Sequence, residues 1–407
     1  MDSLITTAAR ALSAGAPLAA LKWIALRSDP PALALRGIAM AQLGDLTRAR
    51  ELLRSAARGF GPKERVARAR CAVAEAEIAL VSRDLGRSLQ TLNAARAVLE
   101  AFGDRRNAAH AGYLEARYLL LIGRLDEAEA VLDSLDVGAL PRTSLIGREL
   151  VAAGIAIRRI RTAPAKAALD RARGLAEEAR IPALAAEVDQ AVHAFESPAA
   201  RCLTRGVGRL LDLEEVERLL SSDALVVDAC RNVVRAGTKM VPLATRPVLL
   251  TLMRVLGEAW PEGVARETLL KRAFRARHAD ESHRARLRVE IARLREAIKP
   301  LAALNATQQG FVLRPHATAA DVAVLAPPVE SDHAEVLAVL GDGEAWSSSA
   351  LALALSVSPR TVQRALEELA HDGRVEAFGR GRACRWIASS VPGFPTSLLL
   401  PATGISG

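Results

Sequence analysis

Residues 282–299 of the chain read Ser-His-Arg-Ala-Arg-Leu-Arg-Val-Glu-Ile-Ala-Arg-Leu-Arg-Glu-Ala-Ile-Lys. Four apolar residues recur at intervals of three and four and predict one buried stripe on a helix, namely Leu287, Ile291, Leu294 and Ile298. The opposite face is expected to carry mainly guanidinium groups, which suit phosphates and the O6/N7 edge of guanine. The candidate DNA-binding residues of this helix are Arg284, Arg286, Arg288, Arg293 and Arg295. The alternative is a solvated arginine-rich face.

The sequence around this helix predicts a small α+β domain. Its predicted elements are strands at 225–228, 231–234 and 239–243, a helix capped by Thr245 with Pro247 in its first turn, a second helix over 266–274, the helix over 282–299, and a hairpin over 305–313 around Gly310. The order is therefore a small antiparallel sheet, three helices and a closing hairpin.

This order resembles the C-terminal winged-helix domain of OmpR/PhoB-type transcription regulators. The matching residues are Leu243-Ala244-Thr245, Val264-Ala265-Arg266-Glu267-Thr268-Leu269, Val289-Glu290-Ile291-Ala292-Arg293-Leu294-Arg295 and Gly310-Phe311-Val312-Leu313. The resemblance implies that the domain binds double-stranded DNA, with the arginine-rich helix in the major groove. The hairpin reads Thr307-Gln308-Gln309-Gly310 where an Arg-Gly pair is usual, so Gln308 and Gln309 are its candidate contact residues.

A second module is predicted near the end of the chain. Its elements are helices over 333–340 and 348–355, a helix capped by Ser358-Pro359 that runs to His371, and a hairpin over 374–387. Helix, helix, short turn, helix and basic hairpin is the layout of a winged helix-turn-helix.

The third helix of this module resembles the recognition helix of DeoR- or GntR-type bacterial repressors. Val362, Leu366 and Leu369 are expected to face the core. The candidate DNA-binding residues are Ser358, Arg360, Thr361, Gln363 and Arg364 on the helix, and Arg380, Arg382 and Arg385 on the hairpin. The alternative is a module that contacts only protein.

The first half of the chain is predicted to consist of amphipathic helices joined by short Gly/Asp turns. Small residues at Ala49, Ser88, Ala128 and Ala168 are spaced 39, 40 and 40 residues apart, which indicates a helical solenoid. Gly37, the turn Gly44-Asp45 and Ala49 resemble the tetratricopeptide pattern. This resemblance implies a surface for a protein, peptide or small effector. A plain helical bundle is the alternative.

The predicted fold class is mainly α, with tetratricopeptide-like helical repeats followed by two α+β winged helix-turn-helix domains. Half of the 407 residues are apolar and 3% are aromatic, which favours helix-on-helix packing. The predicted boundaries are a repeat domain at 1–197, a helical linker at 198–222, a first winged helix at 223–315, a linker at 316–331, a second winged helix at 332–388 and a tail at 389–407.

The predicted function is that of a sequence-specific, DNA-binding transcription regulator in the cytoplasm. Lys and Arg number 55 against 46 Asp and Glu, and their concentration on both expected recognition helices favours this function over the alternative, a non-catalytic protein-interaction scaffold. No catalytic or phosphate-loop motif is present, so no enzyme and no catalytic residue are expected. The four cysteines are dispersed, so neither a metal nor a cofactor is expected. The expected partners are double-stranded DNA and a protein or peptide, without a membrane, and the chain could form a homodimer.

Overall fold

The computed structural model describes residues 2–85, 88–274, 281–316, 321–328, 333–340, 345–379, 381 and 384–388. The chain divides into two compact units, one formed by residues 1–194 together with 333–407 and the other by residues 195–332. The expected class, mainly α with small sheets, is confirmed. None of the helices in the described ranges has both the length and the apolar character that crossing a bilayer requires.

The first segment of the first unit is a series of helices. They are α1 (Ser3–Ser13), α2 (Pro17–Ile24), α3 (Pro30–Gln42), α4 (Leu46–Gly59), α5 (Arg65–Val81), α6 (Ser88–Ala101), α7 (Arg105–Leu121), α8 (Leu125–Ser134), α9 (Arg142–Arg158), α10 (Thr162–Ala179) and α11 (Pro182–Glu196). Their contacts are mostly between neighbours in the sequence, with additional packing of α1 on α3, α5 on α7 and α7 on α9.

Tight turns with a left-handed residue connect the paired helices. Gly44 follows α3 with φ +87° and Gly123 follows α7 with φ +78°. Glycine carries no Cβ, so it adopts this conformation at little cost and can end a helix abruptly. The side chain of Asp45 then accepts a hydrogen bond from the Arg48 amide and caps α4. Each turn therefore ends one helix and starts its partner within three residues.

The predicted period of about 40 residues does not hold for the helices. Ala49 and Ala128 are the fourth residues of α4 and α8, whereas Ser88 is the first residue of α6 and Ala168 the seventh of α10. The fourth residues of the four second helices are Ala49, Thr91, Ala128 and Ala165, at intervals of 42, 37 and 37. The spacing varies because the connection from α5 to α6 is longer than the three-residue turns of the other pairs.

The close packing expected at small residues is present in the first of these pairs. Ala49 is fully buried, and a Cβ added at Gly37 would lie 2.8 Å from Cγ of Leu53 and 3.1 Å from the Ala49 carbonyl oxygen. A side chain at Gly37 would therefore push α3 away from α4.

The last segment of the chain completes the same unit. Its elements are α16 (Ala334–Leu340), α17 (Ser348–Ala354), α18 (Pro359–His371), β10 (Val375–Phe378) and β11 (Arg385–Ala388), and β10 pairs antiparallel with β11. Val362, Leu366 and Leu369 are buried, which confirms the predicted core face of α18.

The C-terminal segment begins within one residue of the predicted boundary at 332, but it is part of the first unit and not the separate domain that was predicted. Its buried side chains, among them Leu340, Trp346 and Leu366, belong to one continuous hydrophobic core with Leu85, Leu119 and other residues of α5 to α9. Ser347 also donates a hydrogen bond to the Arg83 carbonyl oxygen at 3.3 Å. The prediction was wrong because a local sequence pattern carries no signal for packing between segments so far apart in the chain.

The second unit contains a six-stranded sheet in the order β2-β1-β9-β3-β4-β5. Its elements are β1 (Ala200–Thr204), β2 (Val207–Leu211), α12 (Leu213–Leu220), β3 (Leu225–Asp228), β4 (Val233–Ala236), β5 (Lys239–Pro242) and β9 (Val322–Ala326). Strands were predicted at all three of β3, β4 and β5, although β4 begins two residues later than the predicted range of 231–234. Strand β9 pairs parallel with β3 and lies between that strand and β1.

Both predicted linkers contain strands of this sheet and need correction. Residues 198–222 are not a helical linker, because β1 and β2 form a hairpin across Arg205-Gly206, both with positive φ. Residues 316–331 hold β9, whose five residues are all buried. Its uninterrupted apolar run is typical of a strand that is buried on both faces of its sheet. The second unit therefore extends well beyond the predicted range of 223–315.

The rest of the second unit packs three helices against a small sheet. Its elements are α13 (Pro247–Ala259), β6 (Val264–Ala265), α14 (Arg266–Phe274), α15 (Glu281–Ile298), β7 (Ala302–Ala306) and β8 (Gly310–Pro315). The small sheet has the order β6-β8-β7. Arg246, rather than the predicted Thr245, occupies the N-cap of α13, and its side chain makes no capping bond.

Candidate nucleic-acid interface

One stripe of apolar side chains fixes the orientation of α15. Leu287, Ile291, Leu294 and Ile298 are all buried in the core that also contains Leu252 of α13 and Leu270 of α14. This result confirms the stripe predicted from the sequence. Because a helix turns by about 100° per residue, the buried stripe also determines which residues point outward.

The outward face of α15 differs from the expected row of guanidinium groups. Its centre lies two residues, or about 200°, from the buried stripe and consists of Ala285, Val289, Ala292 and Glu296, all exposed. The arginines lie to either side of this centre. Arg284, Arg288 and Arg295 are on one flank, and Arg286 and Arg293 are on the other. The helix thus presents two basic flanks around a largely apolar middle.

Several of these arginines are held by neighbours on the surface. Arg288 donates to Glu281 at 2.7 Å, Arg284 lies 3.7 Å from the same carboxylate, and Arg293 donates to Glu290 at 2.9 Å. All three arginine side chains are more than half exposed. Glu281 is 72% exposed, and exposed ion pairs of this kind contribute at most about 1 kcal/mol, so a phosphate could replace its carboxylate at small cost. Glu290 is only 13% exposed, so the Arg293 pair is held more firmly.

Arg286 and Arg295 make contacts with the body of the unit. The guanidinium carbon of Arg286 lies 4.9 Å from the centre of the Phe274 ring, at the end of α14. Arg295 donates from Nε to the Leu304 carbonyl oxygen at 2.8 Å and lies over the Phe311 ring. Arg295 therefore ties α15 to the hairpin, a role that the sequence did not indicate.

The hairpin between β7 and β8 exposes the two predicted glutamines. Gln308 and Gln309 are exposed at its tip, and the Gly310 amide donates to Thr307 Oγ1 at 2.9 Å. Arg266 fixes the position of the tip, because its two terminal nitrogens donate to the Gln308 and Thr307 carbonyl oxygens at 2.8 and 3.1 Å.

Arg266 was not among the predicted site residues, although it positions two of them. Its guanidinium carbon also lies 5.3 Å from the centre of the Phe311 ring. The sequence offered only a weak signal for this role, namely an arginine at the start of α14 that matched the family pattern.

Helix α18 has a different outward face. Ser358 caps it by accepting a hydrogen bond from the Thr361 amide at 3.1 Å, and its hydroxyl also contacts that of Thr361. Arg360 and Arg364 lie opposite the buried core face, so guanidinium groups occupy the N-terminal half of the centre of its outward face. Glu367 and His371, both exposed, continue the same line toward the end of the helix.

The remaining polar residues of α18 lie beside these arginines. Gln363 donates to Glu367 at 3.3 Å, and Arg364 lies 3.5 Å from Glu368. The five residues predicted to contact DNA from this helix, Ser358, Arg360, Thr361, Gln363 and Arg364, are all exposed.

The hairpin after α18 requires one correction. Arg385 was expected to contact a phosphate, but its side chain is only 15% exposed. Its guanidinium donates to the Cys384 carbonyl oxygen at 3.0 Å and lies 3.9 Å from the Asp84 carboxylate, in the connection after α5. Strand alternation turns this side chain toward the helical segment rather than toward solvent. Arg380 and Arg382 lie outside the described residues.

The helical segment contains a buried polar network that sequence reasoning missed. His110 contacts Glu77 Oε2 through Nε2 at 3.1 Å and Ser144 Oγ through Nδ1 at 2.9 Å, and all three residues are buried. Next to it, Arg117 donates to the Tyr113 hydroxyl at 3.0 Å and to Glu187 at 2.9 Å. Burial raises the pKa of Tyr113 to about 12. The network joins α5, α7, α9 and α11 through satisfied polar groups.

A groove between α5 and α6 is a concave surface of the helical segment. It encloses about 490 Å³. Arg65, Arg68, Gln90 and Thr91 line it above small apolar residues, including Ala69 and Ala95.

Within the described ranges, no group of three or more His, Cys, Asp and Glu residues has the proximity that binding a metal ion requires. No protein-family model, no curated protein and no solved structure matches the chain.

Proposed function

We propose that the protein is a sequence-specific regulator of transcription that binds double-stranded DNA through α15 and α18. The order α13, β6, α14, α15, β7 and β8 is that of a winged helix, in which the third helix enters the major groove and the hairpin lies beside it. The order α16, α17, α18, β10 and β11 is similar. The helical segment would then bind an effector or a protein partner.

One observation carries this proposal, namely the arrangement of charge on α15. Its buried stripe fixes the outward face, and that face carries exposed basic side chains on both flanks, such as Arg288 on one and Arg293 on the other. The major groove is about 12 Å wide and is bordered by phosphates on both sides. A helix with basic residues on both flanks matches that geometry, because each flank faces one phosphate backbone.

A second candidate function follows from the packing of the C-terminal segment. Its core is continuous with that of the helical segment, and Arg385 points toward Asp84 rather than toward solvent. These contacts favour a role of this segment in protein-protein packing. In that case α15 alone would bind DNA, and α18 would serve as a surface for a protein partner.

The test is binding of the full chain to fragmented genomic DNA at two salt concentrations, followed by sequencing of the retained fragments. A sequence-specific regulator enriches a small set of sites that persists at the higher salt. Uniform retention that disappears with salt would mean electrostatic binding only, and no retention would reject the proposal.

Charge substitutions assign the binding to α15. The double variant Arg288→Ala/Arg293→Ala removes one arginine from each flank, and we expect it to reduce the salt dependence of log K by about 1.8 if both contact phosphates. The matched control is Arg48→Ala/Arg124→Ala, which removes two exposed, ion-paired arginines from the helical segment. An equal loss of affinity in both double variants would mean that only net charge matters.

A further inference from the structure

We propose that the apolar middle of α15 reads the 5-methyl groups of thymine, so that the DNA site beneath this helix is defined by A·T pairs. The apolar middle consists of Ala285, Val289 and Ala292. This inference rests on the proposed function, because it assigns the bases that α15 selects.

The apolar middle lies where a groove-bound helix comes closest to the bases. Val289 is 50% exposed, although the same helix buries four other apolar side chains in the core. Ala285 and Ala292 extend the same line by one turn in each direction. Their short side chains let the helix backbone approach the floor of the groove, while the arginines on the flanks reach outward to the phosphates.

The chemistry of these side chains restricts what they can recognise. Ala and Val have neither donors nor acceptors, so they cannot satisfy the O6 and N7 of guanine or the amino groups of adenine and cytosine. In unmodified DNA, the thymine methyl is the apolar group that base pairs present in the major groove. Polar base edges placed against this surface lose water without gaining a partner, and only an A·T pair offers a methyl contact that offsets this cost, so the surface favours A·T over G·C pairs.

Glu296 limits the extent of the contact. It continues the same line toward the end of α15, and its side chain is 81% exposed. A carboxylate is repelled by the phosphate backbone. The first three turns of α15, which contain the apolar middle, would therefore enter the groove, whereas the turn with Glu296 would lie outside it.

Helix α18 provides an internal comparison. The N-terminal half of its outward centre carries Arg360 and Arg364, and arginine pairs with the O6 and N7 of guanine. The two helices should thus select different bases, with thymine under α15 and guanine under α18. A general property of the chain, such as its net charge, would not give the two helices different base preferences.

The experiment begins with a high-affinity site selected from random DNA by the full chain. Each thymidine of that site is then replaced in turn by deoxyuridine, which removes only the methyl group. Burial of one methyl is worth about 0.8 kcal/mol, so we expect about a fourfold loss of affinity at one to three clustered positions. Replacement of guanines by 7-deazaguanine, which lacks the N7 acceptor, should weaken binding at other positions.

The variant Val289→Ala tests whether Val289 is the residue that contacts the thymine methyl group. We expect this variant to bind the thymine site more weakly than the wild type does. It should also lose most of the difference in affinity between thymine and uracil at one position, because two groups in contact have coupled effects on the binding free energy. Alanine favours helix and the site is exposed, so the fold should be retained. Val207→Ala, which truncates an exposed valine of β2 in the same unit, should keep the full difference.

The outcomes separate this inference from the proposed function. Specific binding that is unaffected by uracil at every position would overturn thymine reading and leave the proposed function standing. Specific binding in which Val289→Ala keeps the wild-type difference would also overturn the inference. Absence of any sequence-specific site would reject both.

Discussion

The guanidinium carbon of Arg83 lies 5.3 Å from the centre of the indole ring of Trp346. Arg83 belongs to the connection after α5, and Trp346 precedes α17 in the last part of the chain. Arg83 is itself in the left-handed conformation, with φ +49°. The contact joins two segments that are separated in sequence by the whole second unit.

Removal of Trp346 should therefore destabilise the first unit. The side chain is 1% exposed, and truncation of a buried Trp typically costs about 3–5 kcal/mol. We expect Trp346→Ala to reduce the free energy of unfolding in urea by about this amount. The control Trp23→Ala removes an indole that is 47% exposed and should change it by less than about 1 kcal/mol. Equal effects of the two variants would argue against a shared core.

Arg266 should control the order of the hairpin tip. We expect Arg266→Ala to speed amide hydrogen exchange around Thr307 and Gly310, because two hydrogen bonds to the tip are lost. Arg266→Lys keeps the charge but cannot reproduce the paired bonds of a guanidinium, so amide exchange should be as fast as in Arg266→Ala. Full protection in the lysine variant would mean that charge alone holds the tip.

The chain contains two tyrosines, and both should resist ionisation in the folded state. Burial raises the pKa of Tyr113 to about 12 and also raises the pKa of Tyr118. A tyrosinate absorbance titration should therefore show less ionisation at pH 10 in buffer than in urea, where half of the tyrosine is ionised near pH 10. A normal titration of both residues in the folded protein would contradict their burial.

The raised pKa of Tyr113 also affects stability at high pH. The folded pKa lies above the unfolded value of 10.0, so the unfolded state loses its proton first. The free energy of unfolding should then fall as the pH rises from about 10 to about 12. Tyr113→Phe should be less stable at neutral pH, because it loses the bond from Arg117, but should show a shallower fall. An unchanged slope in this variant would assign the fall to other groups.

Both helices should contribute to the length of DNA that the protein protects. If α15 and α18 bind together, a nuclease footprint will be longer than one winged helix can cover, and Arg360→Ala/Arg364→Ala will shorten it from one end. Arg58→Ala, at an exposed site on α4, should leave it unchanged. A one-module footprint in the wild type would support the second candidate function, in which α18 contacts protein.

Local patterns were sufficient to predict much of the second unit. The buried stripe of α15 follows from residue periodicity, and the strands β3 to β5 follow from short β-branched runs around a glycine turn. The N-cap at Ser358 was also found, because its side chain bonds to an amide only three residues away. These features depend on neighbours in sequence.

The predictions that were wrong concern contacts between residues far apart in the sequence. The position of β9 between β1 and β3 depends on pairing with partners about 100 residues away, and the orientation of Arg385 depends on the register of a hairpin docked onto Asp84. On α15, the arginines were identified, but their position on the flanks followed only once the helical angle of each residue was considered.

The first unit is made from two parts of the chain, and this has a consequence during synthesis. Residues 1–194 leave the ribosome well before Trp346, Leu366 and the other residues that complete their core. At about 5–20 residues per second, the interval is about 8–30 s. The apolar surface around Leu85 stays uncovered for that time, so the nascent chain is a natural client for a chaperone that shields hydrophobic segments until translation ends.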